Sequence, residues 1–472
     1  MTSPPRPVRR ALALALTAAA LGAAVVFGAR GRAGAAPRPP ASDAEMLDRA
    51  MRGLTSVIVY DIFSPPQASR AYAYASVAAY EALRPAHPEY RTLAGQLNGL
   101  DTIPGPQAGV EYALPLAAVH AFMAVGRQLT FSRARMDSLR AALDDEYRRS
   151  GVSPAVYARS IAYGDTVAAR VLAWAAKDRY LQTRGAPKFS VTNTPGRWVP
   201  TPPAYMDAIE PNWRLLRPFV LDSASQFRPA PPIAFDTAKS SAYMQQVREV
   251  YDAGRALTAE QKALTAFWDC NPYVMHVQGH SMFATKKITP GGHWMEIART
   301  ASRTANADVM RSAEAYARTA IALADGFISN WDEKFRSNRI RPETVIDTYM
   351  DPAWEPFLQT PPFPEYTSGH SVISAAAAVV LTDEFGPHAA FADSAEVAYG
   401  LPVRRFTSFD QASREAAISR LYGGIHFRQA IDEGAVQGAK VGALVIARVR
   451  TRARPEQPIV AQAAPAPATG GR

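Results

Sequence analysis

Residues 331–370 read WDEKFRSNRIRPETVIDTYMDPAWEPFLQTPPFPEYTSGH and gather Lys334, Arg336, Arg339 and Arg341, a proline-rich bend and a Ser-Gly-His turn. Lys334 and Arg341 stand seven residues apart, about two helical turns. A helix carrying both projects them from one face, and Pro342 then ends that helix. Beyond the bend, Ser368-Gly369-His370 opens an alanine-rich apolar run from Val372 to Leu381, the pattern of a buried helix. A glycine at that entrance lets backbone N–H groups come close to an anion, the Ser368 hydroxyl adds a donor, and the helix dipole favours negative charge there. The segment Ser419-Arg420-Leu421-Tyr422-Gly423-Gly424-Ile425-His426 repeats the theme of a cation, glycines and a histidine before a helical run. Together the three segments suit a tetrahedral oxyanion, with charge-assisted bonds worth about 1.5 to 3 kcal/mol each. One histidine is then available to bond the central atom, and the other to move protons near neutral pH.

The rest of the chain reads as helix after helix. Helical periodicity covers 42–60, with a capping-box signature at Ser42-Asp43-Ala44-Glu45, then 64–83, 108–128, 132–149 and 153–177. It resumes over 240–257, 259–269, 292–304, 307–335, 368–385, 409–421 and 427–449, so the predicted fold class is all-α, built of helical bundles. Between the two helical stretches, 184–236 carries ten prolines together with Trp198, Tyr205, Trp213, Phe219, Phe227 and Phe235. Prolines exclude regular helix and the aromatics predict a loop packed on the domain. The expected organisation is an export signal at 1–36, an N-terminal helical region at 42–183, the packed loop at 184–236, a catalytic helical region at 237–452 and a disordered Pro/Ala-rich tail at 453–472.

The signal is read from a basic start, an apolar run from Ala11 to Phe27 and small residues at Ala33-Gly34-Ala35, and Arg9-Arg10 suits a twin-arginine type. That run is shorter than the roughly 20 residues of a membrane span, so the mature chain is expected to be periplasmic or secreted, without a stable membrane span. Five of the ten net positive charges lie in that leader. The mild remaining excess, with no basic run interleaved with aromatics, argues against nucleic-acid binding and suits small anions. Cys270 is the single cysteine, which excludes an internal disulfide and leaves neither a zinc–thiolate nor an iron–sulfur site possible on the sequence.

Lys334-x6-Arg341-Pro342, Ser368-Gly369-His370 and Ser419-Arg420-x5-His426 resemble, in order, spacing and residue type, the three-part pattern of the superfamily that unites vanadium-dependent haloperoxidases with type 2 phosphatidic acid phosphatases. The resemblance implies that Lys334, Arg341, Arg420, the Ser368 hydroxyl and the Gly369 amide hold the oxygens of vanadate or phosphate. It implies that His426 bonds the central atom, as the vanadium ligand of a haloperoxidase or the nucleophile of a phosphatase, and that His370 is the acid/base group. Trp331 and Phe363 resemble the aromatics flanking the metal in vanadium chloroperoxidases, and Asp269 an acid that pairs there with the arginine equivalent to Arg420. The favoured expectation is an exported haloperoxidase that oxidises halide with hydrogen peroxide at a bound vanadate. The alternatives are an acid phosphatase that takes phosphate esters through a phosphohistidine and a non-catalytic oxyanion-binding protein.

Two positions depart from the pattern. Thr367 replaces a usual proline, which is expected to loosen the turn before Ser368, and Ala430 stands where an aspartate commonly fixes the second histidine. On a helix Asp432 points away from His426 and Glu433 lies about two turns off, so neither replaces it simply. A backbone carbonyl is one group left to orient His426. A rival metal site, His276 and His280 at i and i+4 with His293 downstream, lacks the glutamate of an HExxH motif and has Gly279 in the way.

Overall fold

Ser42, Ser64 and Ser153 each precede a helix, and each hydroxyl accepts the backbone N–H three residues on, at 3.2, 3.2 and 3.3 Å. Such caps satisfy donors that the first helical turn leaves open. They start α1 (Asp43–Tyr60), α2 (Pro65–Leu83) and, after α3 (Leu114–Leu129) and α4 (Arg133–Arg149), α5 (Pro154–Ala175). The structure is a computed structural model in which residues 41–452 are described. The expected signal at 1–36 and tail at 453–472 lie outside the described residues.

A short α6 (Tyr180–Gly185) leads into a long irregular loop, followed by α7 (Ala242–Arg255) and α8 (Ala259–Phe267). An antiparallel hairpin follows, β1 (Val274–Gln278) with β2 (Ser281–Thr285), and then α9 (Pro290–Thr304), α10 (Val309–Ser337), α11 (Pro342–Tyr349) and α12 (Gly369–Phe385). A second small pair, β3 (Phe391–Asp393) with β4 (Arg404–Phe406), precedes α13 (Phe409–Tyr422) and α14 (Arg428–Arg448). The fold is mostly helical, as expected. The two sequence-separated helical stretches share contacts, since α2 packs against both α3 and α10.

Helix α12 is buried on every side from Ser371 to Ala378, which is why its sequence shows no polar face. It lies against α10, α13 and α14. On α14, glycines 434, 438 and 442 recur every four residues and face it. A methyl group on Gly438 would fall 1.9 Å from the Val372 carbonyl oxygen, so the two backbones touch there without side chains between them. This contact fixes the height of α12, and with it His370.

The irregular loop is held by a carboxylate. Asp325, in the middle of α10, accepts the N–H groups of Phe219, Val220 and Leu221 at 2.7, 2.7 and 3.0 Å. Trp198, Trp213 and Phe219 are buried as anticipated, whereas Tyr205 projects into solvent.

Three local expectations are corrected. The helix expected from residue 108 begins at Leu114, because Gly109 takes a positive φ of 73°. The helix carrying Lys334 ends at Ser337, where Asn338 turns left-handed at φ 47°, so Lys334 and Arg341 do not share a helix. Pro342 starts α11 rather than ending α10, since a proline at the first helical position loses no hydrogen bond. The hairpin was not anticipated. Gly279, with φ 56°, makes its turn and leaves the exposed His276 bonded to Thr285 Oγ1 at 2.8 Å, so the helical histidine pair does not form.

Candidate active site

The three segments meet. Arg341 lies within hydrogen-bond distance of His426, with Nη1 to Nε2 at 3.3 Å, and its other bonds go to the carbonyls of Phe363 (2.8 Å), Ile425 (2.8 Å) and Pro361 (3.5 Å). Arg420 donates from Nη1 to the Trp268 carbonyl at 2.9 Å, and its Nε is buried without a partner. Lys334 gives its ammonium protons to the carbonyls of Pro364, Glu365 and Thr367 at 3.0, 3.0 and 2.6 Å. All three of its ammonium protons are thus engaged by backbone carbonyls. Ser368 caps α12 and accepts bonds from the Ser371 amide (3.3 Å) and hydroxyl (2.9 Å), which leaves its own proton to give. The Cα of Gly369 faces the same space, where an added methyl would meet Asn330 Oδ1 at 3.3 Å and Lys334 Cε at 4.0 Å.

Trp331 and Phe363 pack with ring centroids 5.0 Å apart, and the Phe363 ring lies 5.1 Å from both Lys334 Nζ and the Arg341 guanidinium. They line one cavity with His370, Arg420, His426 and Cys270. His370 Nε2 is buried and unpartnered, and the Trp268 carbonyl bonds its ring.

What holds His426 in place of the missing aspartate is Glu365, a residue that sequence reasoning passed over. Its Oε1 lies 2.9 Å from His426 Nδ1 and accepts the Phe427 amide at 3.0 Å. An arginine can only donate, so the Arg341 contact makes His426 Nε2 an acceptor; Nδ1 therefore carries the proton and gives it to Glu365. Ala430, at the family's aspartate position, is buried and takes the Ser368 amide on its carbonyl at 2.9 Å. Thr367 does not loosen the turn: its hydroxyl accepts from Asn330 at 2.9 Å and donates to Gln437 at 2.7 Å.

Asp269 Oδ2 pairs with Lys287 Nζ at 2.7 Å, its Oδ1 is buried without a partner, and its negative charge acts on Arg420.

Burial and mutual repulsion shift these groups. Burial, with Arg341 beside it, pushes the Lys334 ammonium well down, and burial, with Arg420 near, lowers Arg341 to about 9. Burial and the surrounding cations also hold His370 and His426 well below the ordinary imidazole range. Glu365 is raised to about 7 by burial, against the pull of Arg339 and Arg341. Buried cations that repel one another are costly unless an anion compensates them. The unpartnered Arg420 Nε–H faces the same need, and the unpartnered His370 Nε2 offers a lone pair to a protonated oxygen, so these residues fit a tetrahedral oxyanion such as vanadate.

A family model described as the VCPO second helical-bundle domain matches residues 347–455, which hold Glu365, His370, Arg420 and His426. Among curated proteins no relative matches. Among solved structures, a bacterial vanadium-dependent iodoperoxidase is 50% identical, with a TM-score of 0.83 over 88% of this chain and 99% of that one. A holo-type bacterial vanadium-dependent chloroperoxidase has the same fold at 18% identity, with a TM-score of 0.63 over 82% of this chain and 93% of that one. An apo-type bacterial vanadium-dependent chloroperoxidase structure gives a TM-score of 0.61 at 18% identity, over 80% of this chain and 92% of that one. The iodoperoxidase likeness extends from end to end of that relative, and it places this chain in the vanadium-dependent haloperoxidase family.

Proposed function

We propose that this enzyme oxidises iodide with hydrogen peroxide at a vanadate held by Arg341, Arg420, Ser368, the Gly369 amide and His426, in the field of Lys334. The observation that carries the reading is buried His426 Nε2, an acceptor facing the Arg341 guanidinium in the field of Arg420 and Lys334, while Glu365 takes the Nδ1 proton. Bound vanadate supplies a Lewis-acidic centre that activates peroxide towards a halide. The arginines neutralise its oxygens. His370 Nε2, neutral at working pH because its pKa is low, accepts a proton from peroxide and returns one to the leaving oxygen. Trp331 and Phe363 keep water away from the reacting halide.

Iodide is chosen because the relative at 50% identity is an iodoperoxidase. Export rests on the leader pattern of residues 1–36, and N-terminal sequencing of the secreted or periplasmic protein tests it. Among the described residues no helix is long and apolar enough to cross a membrane.

The test of function is reconstitution of the full chain with orthovanadate, followed by peroxide-dependent oxidation of iodide, bromide and chloride. Vanadate-dependent turnover, fastest with iodide, is expected. Failure with all three halides at saturating vanadate, together with vanadate-inhibited hydrolysis of a phosphomonoester, refutes the proposal.

A further inference from the structure

Beside the cavity lies a second cluster that the halide chemistry does not use. Cys270 Sγ is 3.2 Å from His293 Nδ1 and 3.7 Å from Glu396 Oε1, and the last two atoms are 3.3 Å apart. All three side chains are buried. Behind the imidazole, Nε2 meets Asp393 Oδ2 at 2.8 Å, and Trp268 stacks on the ring with centroids 4.7 Å apart and planes 19° from parallel.

Three donor atoms thus enclose one point. A tetrahedral zinc ion with ordinary bond lengths has sulfur-to-nitrogen and sulfur-to-oxygen edges of about 3.5 Å and a nitrogen-to-oxygen edge of about 3.3 Å. The observed triangle is close to that. Against the cost of burial, the Asp393 carboxylate and the Cys270 sulfur hold His293 well above the ordinary imidazole range, so without a metal a proton occupies Nδ1 between it and Glu396, the place a cation would take. A carboxylate behind a ligating histidine is the usual arrangement for fixing its ring and raising its basicity. A lone thiol in the sequence excludes a zinc–thiolate site built of cysteines, whereas here one thiol joins a histidine and a carboxylate brought from distant segments.

We propose that Cys270, His293 and Glu396 bind a borderline divalent cation of the Zn2+ class, with Asp393 orienting His293 and water in the fourth position. Of the three ligands, Cys270 lines the active-site cavity. The ion ties α9 to the segment 268–270 and to the turn after β3. Its effect on the reaction is positional, because the Trp268 carbonyl in that segment holds both Arg420 and His370.

The test needs no vanadate. The full chain is purified and its zinc content measured, then stripped with a chelator and titrated with Co2+. About one metal per chain and a thiolate-to-cobalt charge-transfer band are expected. Cys270→Ser is expected to abolish the band, and Asp393→Asn to keep it while weakening affinity about 10- to 100-fold. Absence of zinc as purified, together with no charge-transfer band in the stripped wild-type chain, overturns the proposal, as does a band that survives Cys270→Ser. The wild-type titration decides even if a variant fails to fold.

Discussion

Glu365 grips His426 from behind: its Oε1 takes the Nδ1 proton at 2.9 Å and the neighbouring Phe427 amide at 3.0 Å, so the imidazole cannot rotate and its Nε2 lone pair stays turned to the arginines. Glu365→Ala leaves two buried N–H groups, on His426 Nδ1 and Phe427, unpaired and frees the ring. Vanadate affinity is expected to fall about 10- to 100-fold, and less in Glu365→Gln, which keeps an acceptor. Equilibrium dialysis with vanadate measures it, and an unchanged dissociation constant in the alanine variant would falsify the positioning role.

The same carboxylate makes stability depend on pH. Its pKa rises from an ordinary 4.5 to about 7 on folding, so between those values the folded state holds a proton that the unfolded chain has lost. Stability from this group is therefore fully present below pH 4.5 and is lost as pH rises through 7, by about 3 kcal/mol in all. His370 and His426, with depressed pKa values, contribute in the opposite sense, so the comparison is with Glu365→Gln, which retains them. In denaturant melts of vanadate-free protein, the wild type should lose stability relative to the variant across that window. Parallel profiles refute the assignment.

The two histidines separate by what they lose. His370→Ala removes the unpartnered Nε2 and is expected to lower kcat about 10²- to 10⁴-fold while vanadate affinity stays within about tenfold. His426→Ala removes the proposed ligand, so vanadate binding itself should go. Steady-state iodide oxidation alongside direct vanadate binding checks both, and a His426→Ala enzyme that binds vanadate as the wild type does removes the mechanism.

Gly438→Ala tests the packing beneath the site. Its methyl would enter the Val372 carbonyl, a collision with backbone that no rotamer change relieves. Destabilisation of about 3 kcal/mol, the upper end for overpacking, is expected in a thermal or urea melt. Gly95→Ala has open space around the new methyl but a positive φ of 75°, so it serves as the strain-only comparison. A Gly438→Ala loss no larger than that of Gly95→Ala rejects the close contact.

How much was legible can be read from particular residues. Ser368, Gly369 and His370 sit at one helix start, and Arg420 and His426 bracket one glycine turn, so each spacing is a local property of the backbone and survives in one dimension. Asn338 and Pro342 hid the break between α10 and α11, because an uninterrupted period suggests one helix until the left-handed residue is seen. The four-residue spacing of glycines 434, 438 and 442 was present in the sequence, yet its meaning depends on the neighbour that fills the groove.

The sequence by itself determined the helical class, the three cationic segments and their histidines, since periodicity and short spacings are set within a few turns of chain. Only the tertiary structure decided which acid meets which base. Glu365 reaches His426 across 61 residues, Asp269 meets Lys287, and Cys270 meets His293 and Glu396. Ion pairs and hydrogen bonds act over a few ångströms of space whatever the distance along the chain, so their partners are fixed when the helices pack.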